Sequence, residues 1–138
     1  MPDLAAFRSA CYAAARSVGG SVAGFRLSEG ATPNFHQGLV THRGRTVAVV
    51  WVRSSSWLAV AEPRDIEFVG GGRESGPLRF RDDPELVTAL AAATDFRVLT
   101  LAEVDRPFDP AAWPCLSPDD VTHRNPATVG EALFHYGD

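Results

Sequence analysis

Residues 46–53 limit the possible folds of this chain more than any other segment does. The six residues at positions 47–52 are all apolar, so an extended strand here presents apolar side chains on both of its faces. A strand of this kind is typical of the middle of a sheet that is covered on both sides. One face would carry Val47, Val49 and Trp51, and the other would carry Ala48, Val50 and Val52.

The neighbouring residues predict that this strand belongs to a larger sheet. Residues 38–42 are typical of a partner strand, and Arg43-Gly44-Arg45 is typical of a short turn, so a β-hairpin is predicted. Short apolar or alternating segments between turn residues predict the remaining strands, at 21–27, 57–62, 65–69, 78–81 and 97–101.

Three helices are predicted from spacing and capping residues. After a cap at Asp3, apolar residues recur at helical spacing until Gly19-Gly20: Leu4, Phe7, Cys11, Ala14 and Val18. Asp83-Pro84-Glu85 combines a cap, a proline at the first position and an acid in the first turn. Thr128-Val129-Gly130-Glu131 is a capping box that opens a short C-terminal helix.

These elements predict one α+β domain over residues 1–138. Its core is an antiparallel β-meander of about five to seven strands, because the connections between strands are short. The N-terminal helix and a second helix pack on the sheet, and a short helix ends the chain. Residues 105–118, which are rich in proline and aspartate, are expected to wrap the surface.

Composition narrows the class of protein. The chain has 138 residues, 45% of them hydrophobic, which is enough for one globular domain. All 13 basic residues are arginine, a bias that GC-rich coding produces in many actinobacteria, and the net charge is −4. This negative charge is unlike that of nucleic-acid binders, so we do not expect the protein to bind nucleic acid. Because the sequence shows no apolar span and no secretory signal, we expect a cytoplasmic protein that does not bind membranes.

The sequence contains no recognisable catalytic centre. The four histidines, His36, His42, His123 and His135, lack the paired spacing of a zinc site, and Cys11 and Cys115 lack metal-binding neighbours. Gly70-Gly71-Gly72 has no phosphate-loop context, and no serine elbow is present. The acidic pairs Asp82-Asp83 and Asp119-Asp120 stand where helices are expected to begin. We therefore predict no catalytic residue, no metal and no cofactor.

One cluster could bind an anion. His42 lies at a strand end beside Arg43 and Arg45, and a histidine with two arginines can hold a negatively charged group. A solvated hairpin tip explains the same residues without any ligand, and we prefer that interpretation.

The wrapping segment supplies the predicted partner-binding surface. Trp113 is expected to anchor the segment to the domain, with a binding hot spot as the alternative. The predicted surface comprises Asp105, Asp109, Trp113, Asp119 and Asp120.

The C-terminal residues 124–138, Arg-Asn-Pro-Ala-Thr-Val-Gly-Glu-Ala-Leu-Phe-His-Tyr-Gly-Asp, carry a resemblance. They resemble the ending R-P-x-T-V-G-E-x-x-F-N-x-W-D of small actinobacterial immunity-type proteins of polymorphic toxin systems. Asn125 interrupts the Arg-Pro step, His135 replaces the asparagine and Gly137 replaces the tryptophan. The resemblance implies a protein that neutralises a toxin, and it identifies no active site.

Three functions follow from these observations. The first is a non-catalytic immunity protein that occludes a bacterial toxin. The second is a secretion chaperone or adaptor, which a homodimer with an exposed apolar groove would favour. The third is a small-ligand or enzymatic domain that uses His42, Arg43 and Arg45, which a deep pocket lined by these residues would favour. The sequence does not define the oligomeric state.

Overall fold

The computed structural model describes residues 3–28, 34–53, 55–63, 78–93, 95–113 and 126–134. Its centre is a five-stranded sheet in which spatial order follows chain order. The strands are β1 (Ser21–Arg26), β2 (Phe35–His42), β3 (Arg45–Val52), β4 (Trp57–Ala61) and β5 (Arg97–Val98). Strands β1 to β4 are antiparallel, and β5 is parallel to β4. The α+β prediction is confirmed, with a mixed sheet that is mostly antiparallel.

Strand β3 is central and buried on both faces, as its sequence predicted. Helices α1 (Leu4–Ser17) and α2 (Pro84–Ala93) cover the face that carries Val47, Val49 and Trp51. The opposite face is covered by residues of α3 (Leu101–Val104) and of α4 (Val129–Leu133). Burying each large apolar side chain contributes about 1.5–3 kcal/mol. Strand β3 therefore stabilises two apolar clusters, one on each face of the sheet.

The β2–β3 hairpin is tighter than predicted. Arg45 pairs with His42 and already belongs to β3, which leaves Arg43 and Gly44 as a two-residue loop. Both loop residues have positive φ, 52° at Arg43 and 77° at Gly44, as two-residue loops between twisted strands require. Strand β2 also begins at Phe35 rather than at residue 38.

Helix α1 approaches β2 closely. A Cβ atom added to Gly38 would lie 2.6 Å from Cys11 Sγ, so only glycine fits under the helix at this position. Cys11 is fully buried there, and burial raises the pKa of its thiol to about 12. Cys11 therefore packs as a small apolar side chain.

The predicted strand at 97–101 is wrong in length and direction. Only Arg97–Val98 pairs with β4, in parallel, because α2 provides the crossover connection that a parallel neighbour needs. Thr100 then caps α3 in a capping box with Glu103, which ends the strand.

Two other predicted strands differ in outcome. Residues 78–81 form one isolated antiparallel bridge, Ala61 to Phe80, with hydrogen bonds from Glu62 N to Arg79 O and from Arg81 N to Val60 O. The predicted strand at 65–69 and Gly70-Gly71-Gly72 lie outside the described residues.

Candidate functional site

His42 is buried against the start of α2, which contradicts the solvated hairpin tip that the sequence favoured. Its exposed fraction is 5%, and its Nε2 atom lies 2.7 Å from Asp83 Oδ2. The second carboxylate oxygen of Asp83 accepts a hydrogen bond from the backbone N–H of Leu86 at 3.2 Å. Asp83 therefore caps α2 and holds the tip of the β2–β3 hairpin at the same time.

The hydrogen bond to Asp83 determines the tautomer of His42. A carboxylate oxygen accepts hydrogen bonds, so this contact is satisfied in the tautomer in which His42 Nε2 donates to Asp83 Oδ2. His42 Nδ1 is buried without a hydrogen-bond partner among the described residues, and its nearest carboxylate is Glu85 Oε1 at 3.8 Å. Leaving such an atom unpaired costs about 1–3 kcal/mol, which the burial around it must offset.

Arg43 is also engaged by α2. Its guanidinium donates two hydrogen bonds to the Glu85 carboxylate. These bonds lower the pKa of Glu85 and raise the pKa of Arg43. Arg45 is exposed on the strand side of the loop.

The cluster therefore joins a hairpin to a helix. Two carboxylates of α2 already face His42 and Arg43, so the cluster offers no excess of positive charge toward an external anion. Anion binding by His42, Arg43 and Arg45 stays a prediction. Sequence reasoning missed the pairing because His42 and Asp83 are 41 positions apart.

The other histidine in the described ranges, His36, accepts a hydrogen bond from the backbone. Its Nδ1 atom accepts a hydrogen bond from the Ser28 backbone N–H at 2.9 Å. Partial burial, followed by the positive charge of Arg53, lowers the pKa of His36 below its usual 6.5. The neutral ring packs beside Trp51, with the ring centres 5.5 Å apart.

The predicted partner surface is partly described. Asp105 and Asp109 are exposed, and Asp109 also caps the 3-10 helix Pro110–Ala112 by accepting from Ala111 N at 3.0 Å. Trp113 is half-buried and packs edge-on against Trp57, with ring centres 5.5 Å apart. Asp119 and Asp120 lie outside the described residues, as do Cys115, His123 and His135.

Trp113 acts as the predicted anchor. The guanidinium of Arg97 lies 5.1 Å from the centre of its ring, so the indole is held between β4 and β5 side chains. The start of the same segment is fixed by hydrogen bonds from Phe108 N to Ala127 O and from Val129 N to Arg106 O. Residues 105–113 are thus tied to the domain at both ends, and we call them the wrap segment.

Helix α4 begins at the predicted cap residue, Thr128. Thr128 Oγ1 accepts from Glu131 N at 3.2 Å and starts α4. Leu133 and Phe134 are fully buried, and the Phe134 ring packs edge-on against Phe35 and Phe80. Within the resembling segment, these described residues build the core.

An open cleft of about 1000 Å³, which was not predicted from the sequence, lies between α1 and the end of α2. Its small or apolar lining residues come from α1, from the β3–β4 turn and from residues 93–96. We call this surface the α1–α2 cleft, which is lined by Ala6, Ser9, Ala10, Tyr12, Ala13, Arg16, Ser56, Ala93, Asp95 and Phe96. None of His42, Arg43 and Arg45 belongs to it.

The described ranges contain no group of three His, Cys, Asp or Glu side chains arranged to hold a metal ion. In the same ranges, no helix has the length and apolarity needed to cross a membrane. Comparison of the chain with protein-family models, with curated proteins and with solved structures gave no match.

Proposed function

We propose that this chain is a non-catalytic binding protein that neutralises a bacterial toxin by covering part of its surface. The observation that carries the proposal is the wrap segment, which presents Asp105 and Asp109 to solvent on a backbone fixed at both ends. The C-terminal resemblance to immunity-type proteins supports the class of partner.

Acidic side chains on an ordered backbone suit a protein that must bind its partner quickly and tightly. A surface that is already ordered loses less conformational freedom on binding than a mobile one. Negative charge also accelerates the approach of a basic partner surface through electrostatic steering. The partner expected here is therefore a protein with a basic patch.

Co-expression with the product of the adjacent gene tests this proposal. We expect the two proteins to purify together and the chain to restore growth when the neighbour is toxic. If the two proteins do not form a complex and the chain does not restore growth, the proposal is contradicted.

Two substitutions that remove negative charge test the surface. Asp105→Asn with Asp109→Asn removes two charges, and Asn preserves the cap at position 109. We expect the association rate at low salt to fall at least about threefold, and the difference to shrink at high salt. The matched control is Asp3→Asn with Asp82→Asn, which removes the same charge at another cap and another exposed acid. Equal effects of the two pairs would show that the wrap segment is not the binding surface.

The α1–α2 cleft favours a second candidate, a secretion chaperone or adaptor. An open cleft that has alanine and aromatic side chains in its lining can hold an apolar segment of a client protein. This candidate requires that a client compete for the cleft, whereas the immunity proposal places the partner on the wrap segment. An enzymatic or small-ligand function at His42, Arg43 and Arg45 stays a prediction, because the cluster lines no part of this cleft.

A further inference from the structure

The outer face of α1 carries an unusual combination of side chains. Tyr12 is 51% exposed and is the exposed large hydrophobic residue of the described ranges. Beside it, the lining of the α1–α2 cleft combines small side chains of both helices, Ala6, Ala10, Ala13 and Ala93, with the ring of Phe96. The Tyr12 ring packs edge-on against Phe25, with ring centres 5.8 Å apart, and half of its surface faces solvent at the border of this cleft.

Two opposite charges border the same cleft. Arg16 lies near the end of α1 and Asp95 follows α2. Both are exposed, and neither forms an ion pair with another described residue. Among the described residues that line the cleft, one cation and one anion thus have no ion-pair partner, and these two charges balance.

We propose that a second copy of this chain occupies the α1–α2 cleft in a two-fold symmetric homodimer. In such an interface the same patch faces itself, so each residue of one copy meets its complement on the other. Tyr12 of each copy packs against the alanine side chains that line the other copy's cleft, and Arg16 of each copy pairs with Asp95 of the other.

The composition of the patch favours a second copy over a different partner. A surface that binds an unlike protein needs only one half of each complementary pair. This patch holds both halves: the ring and the cleft, the cation and the anion. Since α1 and α2 cover one face of the sheet and α3 and α4 the other, the dimer leaves the wrap segment free.

Charge reversal with mixing tests the proposal on the full chain. We expect sedimentation equilibrium to give twice the 14.8 kDa mass of the single chain. Arg16→Asp places two acids opposite each other at each contact, and Asp95→Arg places two bases there. Because like charges across an interface repel, each variant alone should weaken the dimer at least about tenfold.

An equimolar mixture of the two variants should restore the dimer. In the mixed pair, the new acid at position 16 faces the new base at position 95, and the second contact keeps its original Arg16 and Asp95. Restoration on mixing requires that the contact run between chains, and neither a folding defect nor a contact within one chain can produce it. Arg106→Asp, an exposed charge reversal next to α3, is the matched control and should dimerise like the parent.

Three results would overturn the proposal. The first is a parent chain that keeps a mass of 14.8 kDa at every concentration. The second is a dimer that both single variants leave unchanged, because it must use another face. The third is a mixture that stays monomeric. None of these results affects the wrap segment, so the proposed function is judged by its own experiments.

Discussion

Asp83 makes two separable contributions to stability, and substitution can divide them. One carboxylate oxygen caps α2 by accepting from Leu86 N at 3.2 Å, and the other lies 2.7 Å from His42 Nε2. Losing an N-terminal cap costs about 1 kcal/mol. Leaving the buried N–H of His42 without an acceptor costs about 1–3 kcal/mol more.

Two variants isolate these contributions. Asp83→Ala removes both hydrogen bonds, so its free energy of unfolding should fall by about 2–4 kcal/mol. Asp83→Ser keeps a good capping oxygen but is too short to reach the ring, so it should lose about 1–3 kcal/mol. The difference between the variants, about 1 kcal/mol, measures the cap alone.

Urea denaturation followed by circular dichroism measures these differences. A fall of 2–4 kcal/mol is large, because domains of this size are stable by only about 5–15 kcal/mol. When His42 is replaced by Leu, Asp83→Ala should lower the free energy of unfolding by little more than the loss of the cap, since no polar ring is then left unpaired. Two results would show that the pairing of Asp83 with His42 does not stabilise the contact between the hairpin and α2. Either Asp83→Ser is as stable as the parent, or Asp83→Ser lowers the free energy of unfolding by the same amount when His42 is replaced by Leu.

Three further predictions concern the core, the pH dependence and the wrap segment. Gly38→Ala should lower the free energy of unfolding in urea by about 1–3 kcal/mol, because the added methyl overlaps Cys11 Sγ. Adding Cys11→Ala to the same chain should recover part of that loss. If Gly38→Ala is as stable as the parent, the close contact is contradicted. The folded chain lowers the pKa of His36, so its contribution to stability is complete above pH 6.5 and is lost as the pH falls below that value. His36→Gln keeps a hydrogen-bond acceptor but does not titrate, so the fall in the free energy of unfolding below pH 6.5 should become smaller. If this variant and the parent have the same pH profile, His36 is not the source of that fall. Trp113→Ala should cost about 0.5–1.5 kcal/mol of ring packing and speed amide hydrogen exchange in residues 105–113, while unchanged exchange there would refute the anchor.

The central layer of the fold could be predicted because its signal is local. Six consecutive apolar residues define β3, and each predicted helix start is marked by its cap: Asp3, Asp83 and Thr128. These features depend on residues within a few positions of one another. The turn of the hairpin was placed to within one residue for the same reason, because Gly44 marks it locally, whereas the start of β2 was placed three residues too late.

The edge of the sheet could not be predicted, because its pairing is not local. Residues 97–101 alternate weakly, and the direction of β5 depends on the crossover through α2. The start of α3 was hidden for a different reason: Thr100 and Glu103 form a capping box inside a segment that was assigned to a strand and a wrap.

Among the candidate sites, too, those formed by neighbouring residues could be predicted, and those formed by distant residues could not. Trp113 and the exposed acids of the wrap segment were predicted, because a proline-rich and aspartate-rich segment is recognisable by composition. The α1–α2 cleft was not, because its lining comes from three separate parts of the chain. His42 was assigned to solvent because its carboxylate partner belongs to a helix that follows three elements later.

The two-sided burial of β3 connects these sites. A sheet with apolar residues on both faces must be covered twice, and each cover then has its own outer surface. On one side, α1 and α2 expose Tyr12 and a cleft whose charges are balanced, which suits association with an identical surface. On the other side, the wrap segment adds exposed acids, which suit a basic partner of a different kind. The apolar strand that makes this domain fold therefore also separates its two proposed interfaces, so a substitution in one of them can be tested without altering the other.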